Sequence, residues 1–203
     1  MCSVYDFDKT LTIEDTFIPF LGFMLKALNR SRARLILVVL FAFLYKLKII
    51  SNEQFKNISI KATICNVDLE KIDVYAKLFS ESKIINLSSH GIYLSENKKD
   101  DAIIITGALE IYAKYFFTKY FVIGSKLYVD HNGYVKGLKF NCFGANKVTV
   151  LKFYGLRTVD TLYTDSMSDL PLMQIADKVI MVSNHQKTNM KDAIKNAKRL
   201  FCT

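Results

Sequence analysis

The run AIIITG, Ala102 to Gly107, narrows the possible folds more than any other stretch of this sequence. It is uncharged, apolar up to its threonine, and ended by a glycine. A strand with one wet face alternates apolar and polar residues, whereas a strand covered on both faces is apolar throughout. Strands of the second kind belong to parallel sheets flanked by helices. YFVIGS from Tyr120, TLYTD from Thr161 and DKVIMVS from Asp177 also read as strands, and the N-terminal CSVYDFD reads as a short buried strand that runs out into carboxylates.

Helical signals separate these runs. Phe17 to Ile50 is apolar and basic, with helical composition. Ser51 opens the next helix as N-cap, and Gln54 three residues on completes the pattern of a capping box. Val67 to Leu94 continues in helical period, in two pieces, and short helices are predicted at Leu109–Tyr115, Asn146–Gly155 and after SMSD. Lys126 to Phe140 forms two alternating runs around Asn132-Gly133, a hairpin signal. Lys187 to Lys198 predicts a closing basic helix.

The order strand, large helical block, then repeated strand–helix units describes an α/β fold with a Rossmann-like parallel sheet. The helical block is inserted after the first strand. The expected organisation is a core of residues 1–13 and 89–203 and a helical cap of residues 14–88. A chain of 203 residues suits such a core with one small insertion.

Apolar residues make up 51% of the chain, enough to fill a core, and two prolines and eight glycines are too few for a disordered one. The net charge of +9 reads either as a soluble, scattered basic surface or as attraction to an anionic partner: a phosphorylated metabolite, an anionic lipid or nucleic acid. Zinc-finger spacing and an aromatic-basic RNA-binding signature are both missing from the sequence, so no nucleic-acid partner is expected. Cys2, Cys65, Cys142 and Cys202 are far apart and form no CxxC, which argues for free thiols in a reducing cytosol. The N-terminus enters SVYDFDKT without a basic and apolar leader, so no signal peptide is expected and the location is read as cytoplasmic.

In an open parallel sheet, ligands bind at the carboxyl ends of the strands. Asp6 and Asp8 end the first strand, two residues apart, with Thr10 close behind. Two carboxylates in so apolar a segment repel each other unless a cation joins them, and hard oxygen ligands favour magnesium. Carboxylates and a hydroxyl at this spacing also suit a nucleophile with an acid/base partner. An ordinary strand-to-turn loop with aspartate caps is the alternative. Thr106 and Gly107 end the AIIITG strand, where a hydroxyl and backbone N–H groups at a helix start can hold a phosphate oxygen. Lys147 follows FNCFGAN at another helix start and can neutralise phosphate charge. Asp165 and Asp169, with Ser166 and Ser168 between them, follow TLY as a second acidic group at a second strand end.

With these residues in place, the sequence resembles the haloacid dehalogenase superfamily, in its phosphoserine-phosphatase-like branch with a helical cap. DFDKTLT looks like the first family motif, ITG the second, NCFGANKVTVLK the third and YTDSMSDLPLM the fourth. The resemblance implies a phosphatase in which Asp6 is the nucleophile and forms an aspartyl-phosphate. Asp8 would protonate the leaving group and then activate water. Thr106, Gly107 and Lys147 would bind the phosphoryl group. Mg2+ would be held by the side chains of Asp6 and Asp165 and the backbone carbonyl of Asp8, with Thr10, Ser168 and Asp169 in support. An acid at Asp8 favours a phosphatase over a dehalogenase or a transport ATPase. Thr-Gly-Ala in the second motif departs from the commoner Ser-Ala-Ser but keeps a hydroxyl and small residues.

The substrate is the open part of this reading. Asp15 lies near the position where phosphoserine phosphatases hold the substrate amine, but the cap arginines Arg30, Arg32 and Arg34 form one cluster with no clear carboxylate-binding match. A phosphorylated small molecule and a lipid head group both remain. The cap also carries LILVVLFAFLY, Leu35 to Tyr45, eleven apolar residues with basic residues on both sides. That is too short to span a bilayer. Its bland reading is a helix buried between cap and core. Its other reading is a helix lying among lipid head groups, a peripheral membrane contact through residues 30–48, as in relatives that resemble phosphatidylglycerophosphate phosphatases. A catalytically idle binding protein and a phosphotransferase are the rival functional classes.

Overall fold

The computed structural model describes residues 2–83, 86–96, 102–182 and 187–189. Among these residues, seven strands form one sheet in the order β4-β3-β2-β1-β5-β6-β7. The central strand β1 (Ser3–Tyr5) pairs in parallel with β2 (Ala102–Leu109) on one side and β5 (Val159–Thr164) on the other. Next to these, β3 (Phe121–Val129) lies parallel to β2, and β6 (Ala176–Val182) parallel to β5. Edge strands β4 (Val135–Phe140) and β7 (Lys187–Asn189) are antiparallel. The chain builds outward from β1 in both directions, so strand order reverses beside β1 and opens the crevice where ligands of such sheets sit.

The described residues between β1 and β2 form five helices: α1 (Phe17–Ala27), α2 (Ala33–Lys46), α3 (Asn52–Ile64), α4 (Leu69–Lys83) and α5 (Ser89–Glu96). Ser51 makes the expected capping box at the start of α3: its side chain accepts from the Gln54 N–H and the Gln54 side chain accepts from its backbone. Helix α6 (Glu110–Phe116) follows β2 and packs on α4. An aromatic cluster joins the inserted helices to the sheet layer: Tyr112 of α6 lies 4.5 Å from Phe20 of α1 and 5.5 Å from Phe79 of α4 between ring centroids. A second, smaller core of Val4, Ile105, Leu151, Leu162 and Leu172 fills the other face, beneath α7 (Ala145–Phe153) and α8 (Leu170–Met173).

Several elements differ from the sequence expectation. The two strand signals before the Asn132-Gly133 turn are one continuous strand, β3, and the hairpin closes through a loop in which Asp130 accepts from the N–H groups of Asn132 and Tyr134. The strand carrying Thr106 and Gly107 does not end there: it runs to Leu109, and the helix starts at Glu110. The register against β3 slips between Ile105 and Leu109, a bulge that takes Thr106 and Gly107 out of regular pairing. The predicted basic helix from Lys187 begins instead as strand β7, because β6 offers it an open edge to pair with; its remainder lies outside the described residues. The buried reading of Leu35–Tyr45 is also overturned: within α2 only Val38 is buried, since α2 packs on α3 along one side and the apolar residues on its other side meet no element among the described residues.

Candidate active site

Asp6 is the first residue beyond β1, and its N–H donates to the Tyr163 carbonyl of β5 (2.8 Å). Phe7 then turns into the core, against Phe116 at 5.2 Å, so the aspartates on either side of it face the opposite way. The turn is tight: the N–H groups of Thr10, Leu11 and Thr12 all reach the Phe7 carbonyl (3.3, 2.9 and 3.1 Å), and Lys9 takes a left-handed φ of 58°. Asp6 and Asp8 thereby line one cavity of about 630 Å³ between the sheet and the inserted helices. Lys147, Asp165 and Ser168 line it too, as do Thr106, Gly107 and Asp15.

The centre of the site is an ion triad. Gly144, in the left-handed region at φ 56°, turns the chain into α7 and puts Lys147 in its first turn. The buried Lys147 ammonium donates to Asp6 Oδ1 (2.9 Å) and Asp169 Oδ2 (2.9 Å), with Asp169 Oδ1 at 2.8 Å. Thr164 also donates to Asp169 Oδ2 (2.8 Å). Asp169 is fully buried, behind Lys147. Burial alone would depress the Lys147 ammonium, but the two carboxylates outweigh it and its pKa is raised.

One buried cation between two carboxylates leaves an excess of negative charge. Burial pushes the Asp6 carboxyl up to about 7; Lys147 pulls it down, while Asp169 and Asp165 push it further up. Burial likewise raises Asp8 to about 8, helped by repulsion from Asp15 and Asp6, against hydrogen bonds from the Thr16 N–H (2.8 Å) and hydroxyl (2.7 Å). Asp165 is raised too, mainly by burial. Among the described residues no group of three or more His, Cys, Asp or Glu side chains could hold a metal. A magnesium ion does not need one: it binds through one or two carboxylates, keeps water, and takes substrate oxygens. The all-oxygen set of Asp6, Asp165 and a backbone carbonyl, with its unbalanced negative charge, fits that ion.

The remaining expected residues are less uniform. The Thr106 hydroxyl accepts from the Ala108 N–H (2.9 Å) and still has its own proton to donate. The Ser168 hydroxyl pairs with that of Ser166 (2.8 Å). Asp15 sits exposed at the rim, where its carboxylate accepts from the Phe17 N–H (3.0 Å) at the start of α1. Thr10 is fully buried and its hydroxyl oxygen makes no hydrogen bond, so it hydrogen-bonds to neither aspartate.

Two important residues were missed from sequence. Thr16 reads as the cap of α1, but its side chain makes no cap bond and holds Asp8 instead, with the Tyr112 hydroxyl 2.9 Å behind it. Lys56 of α3 is buried at the cavity wall and donates to the Gly107 carbonyl (2.5 Å) and Asn141 Oδ1 (2.9 Å). Burial lowers its pKa to about 8. A signal existed: Lys56 falls on the stripe shared by Ser59, Ile60, Thr63 and Ile64, the buried face of α3.

A family model for haloacid dehalogenase-like hydrolases matches residues 4–174. No curated protein matches the sequence significantly. Among solved structures, a protein of unknown function from Bordetella pertussis Tohama I is similar over 98% of this chain and 95% of its own, at 15% identity and a TM-score of 0.75. A phosphoserine phosphohydrolase-like protein from Francisella tularensis subsp. tularensis SCHU S4 covers 97% and 92%, at 19% identity and 0.63. Phosphoserine phosphatase from T. onnurineus covers 97% and 94%, at 14% identity and 0.58.

Proposed function

The chain belongs to the haloacid dehalogenase-like hydrolase family, and on that premise we propose that it is a magnesium-dependent phosphatase that hydrolyses a phosphate monoester through Asp6. The observation that carries this reading is the Lys147 bridge: one buried ammonium ties Asp6 of the first strand loop to Asp169 of the fourth motif, in the wall of a cavity that Asp8 and Asp165 share.

In the first step an Asp6 carboxylate oxygen attacks phosphorus and the ester P–O bond breaks. Asp8, whose pKa of about 8 keeps it protonated at neutral pH, gives its proton to the departing oxygen. In the second step Asp8 takes a proton from water, the water oxygen attacks phosphorus, and inorganic phosphate leaves Asp6 restored. Thr16 orients Asp8 for both transfers. Lys147 orients Asp6 and, with the Thr106 hydroxyl, offsets charge on the phosphoryl oxygens. Asp6, Asp165 and the Asp8 carbonyl would hold magnesium, which would supply further positive charge there. Residues 14–88 act as the cap that covers the bound ester.

The substrate class is a phosphorylated small molecule or lipid head group. Phosphoserine, the substrate class named for two of the structural neighbours, fits less well. Arg30 and Arg34 are committed to backbone carbonyls of Ala62, Thr63 and Cys65, so the cap cations that line the cavity are Lys46 and the buried Lys56, not an arginine.

The test is phosphate release from a panel of esters with and without magnesium: phosphoserine, sugar phosphates, and phosphatidylglycerophosphate in detergent. Magnesium-dependent release that disappears in Asp6→Asn supports the proposal. Release that persists in Asp6→Asn removes the nucleophile assignment, and no release from any ester by folded protein points to an idle binding protein or a phosphotransferase.

A further inference from the structure

Helix α2 has two unlike sides. Val38 faces inward and is buried, with Phe41, Ala42 and Tyr45 partly covered beside it. Ile36, Leu40, Phe43 and Leu47 recur at helical spacing on the opposite side, each at least half exposed, and Ile36 reaches 71%. Val39 and Ile49 widen the strip at 56% and 64%. Isolated exposed apolar residues are ordinary, but a continuous strip of this kind marks an interaction surface.

Charge identifies what covers it. From Thr16 to Asn52 the sequence has no Asp or Glu, but six cations: Lys26, Arg30, Arg32, Arg34, Lys46 and Lys48. Arg30 and Arg34 are held by the α3 carbonyls. Arg32, Lys46 and Lys48 are exposed at the two ends of the apolar strip and form no ion pair among the described residues. A second copy of this chain is a poor occupant, because a twofold interface here would bring a cationic, acid-free surface against itself. An apolar strip with cations at its ends matches an anionic bilayer, with hydrocarbon below and phosphate head groups at the rim. Among the described residues no helix is long and apolar enough to cross a membrane, so α2 would lie in the plane of the interface.

We propose that α2 docks the protein on an anionic lipid bilayer, with Ile36, Leu40, Phe43 and Leu47 in the acyl boundary and Arg32 and Lys48 among the head groups. Ala42, Tyr45 and Lys46 of the same helix line the catalytic cavity. Docking therefore seats the cavity at head-group level. The inference rests on the exposed face of α2 and stands independently of the phosphatase reading.

The experiment is co-sedimentation of the full chain with vesicles of phosphatidylcholine alone and of phosphatidylcholine mixed with phosphatidylglycerol. Each protein is also assayed for hydrolysis of a soluble aryl phosphate and for its size in solution. The wild type is expected to bind the mixed vesicles, more weakly as salt is raised. Phe43→Glu should weaken binding at least ~10-fold, from the lost burial of one aromatic side chain. Arg32→Ala with Lys48→Ala should weaken it by about 25-fold, roughly five-fold per cation, on the mixed vesicles only. Hydrolysis of the soluble ester should be unchanged in both variants, so a failed phosphatase reading shows in the assay and a failed docking in the sedimentation. Wild-type protein that ignores mixed vesicles, Phe43→Glu that binds them equally, or a wild-type dimer that Phe43→Glu dissociates without any vesicle binding would each overturn the proposal.

Discussion

Asp6→Asn is expected to abolish turnover and, without metal, to stabilise the fold. In the wild type Lys147 is shared between Asp6 and Asp169, one cation for two buried carboxylates. Asparagine keeps the shape and an oxygen for Lys147, and the triad becomes neutral. A carboxyl held at about 7 instead of 3.8 costs the folded state on the order of 4 kcal/mol once it is ionised. The weakened bond from Lys147 returns about 1–2 kcal/mol of that. The net gain is about 2–3 kcal/mol, or roughly 5–10 °C in melting temperature for a chain of this size.

The sign sets the pH window. Because the folded-state pKa is the higher one, the folded protein holds the proton more tightly, and the stability this gives is lost as pH rises from about 4 to 7. The variant should therefore melt close to the wild type near pH 4–5 and well above it at pH 8. The assay is thermal unfolding in chelator across that range, repeated with magnesium. Magnesium should raise the wild-type transition and narrow the gap, because it binds the folded carboxylates. A variant less stable than the wild type at pH 8 in chelator would refute the charge-imbalance argument, and retained phosphate release would refute the nucleophile.

Lys147→Met leaves Asp6 and Asp169 facing each other with no cation and should cost about 3–5 kcal/mol in urea unfolding near pH 7, with recovery at acid pH as the carboxyls protonate. Lys56→Met tests the buried cap lysine. Its folded pKa of about 8 lies below the ordinary 10.5, so the charge is a burden below pH 8, and the wild type should gain on the variant as pH rises from 8 to 10. Arg30→Ala removes the bonds to the Thr63 and Cys65 carbonyls at the end of α3 and should lower stability by about 1.5–3 kcal/mol. Hydrolysis of a soluble ester should be unaffected by that change.

Much of the site was legible because its chemistry follows strand ends. Asp6, Lys147, Asp165 and Asp169 each follow an apolar run or open a helix, and a parallel sheet gathers such positions at one edge. The continuous apolar runs likewise marked β2 and β5 as buried strands, and the Ser51–Gln54 pair marked the start of α3, since both patterns act over a few neighbouring residues. What sequence could not supply was contact between distant segments. Thr16 looks like a helix cap until the fold brings Asp8 within 2.7 Å. Lys56 is one of 28 cations until α3 packs it against Gly107. The apolar run of α2 looks like core because sequence records hydrophobicity and not coverage: whether such a helix is buried depends on what packs over it, and here the opposite side of α2 is left exposed. The slip of register that carries β2 past Thr106 to Leu109 depends in the same way on its partner β3. Local pattern determined the elements and the order of the chemistry. Only packing between remote segments decided which polar groups meet in the cavity and which apolar face stays open.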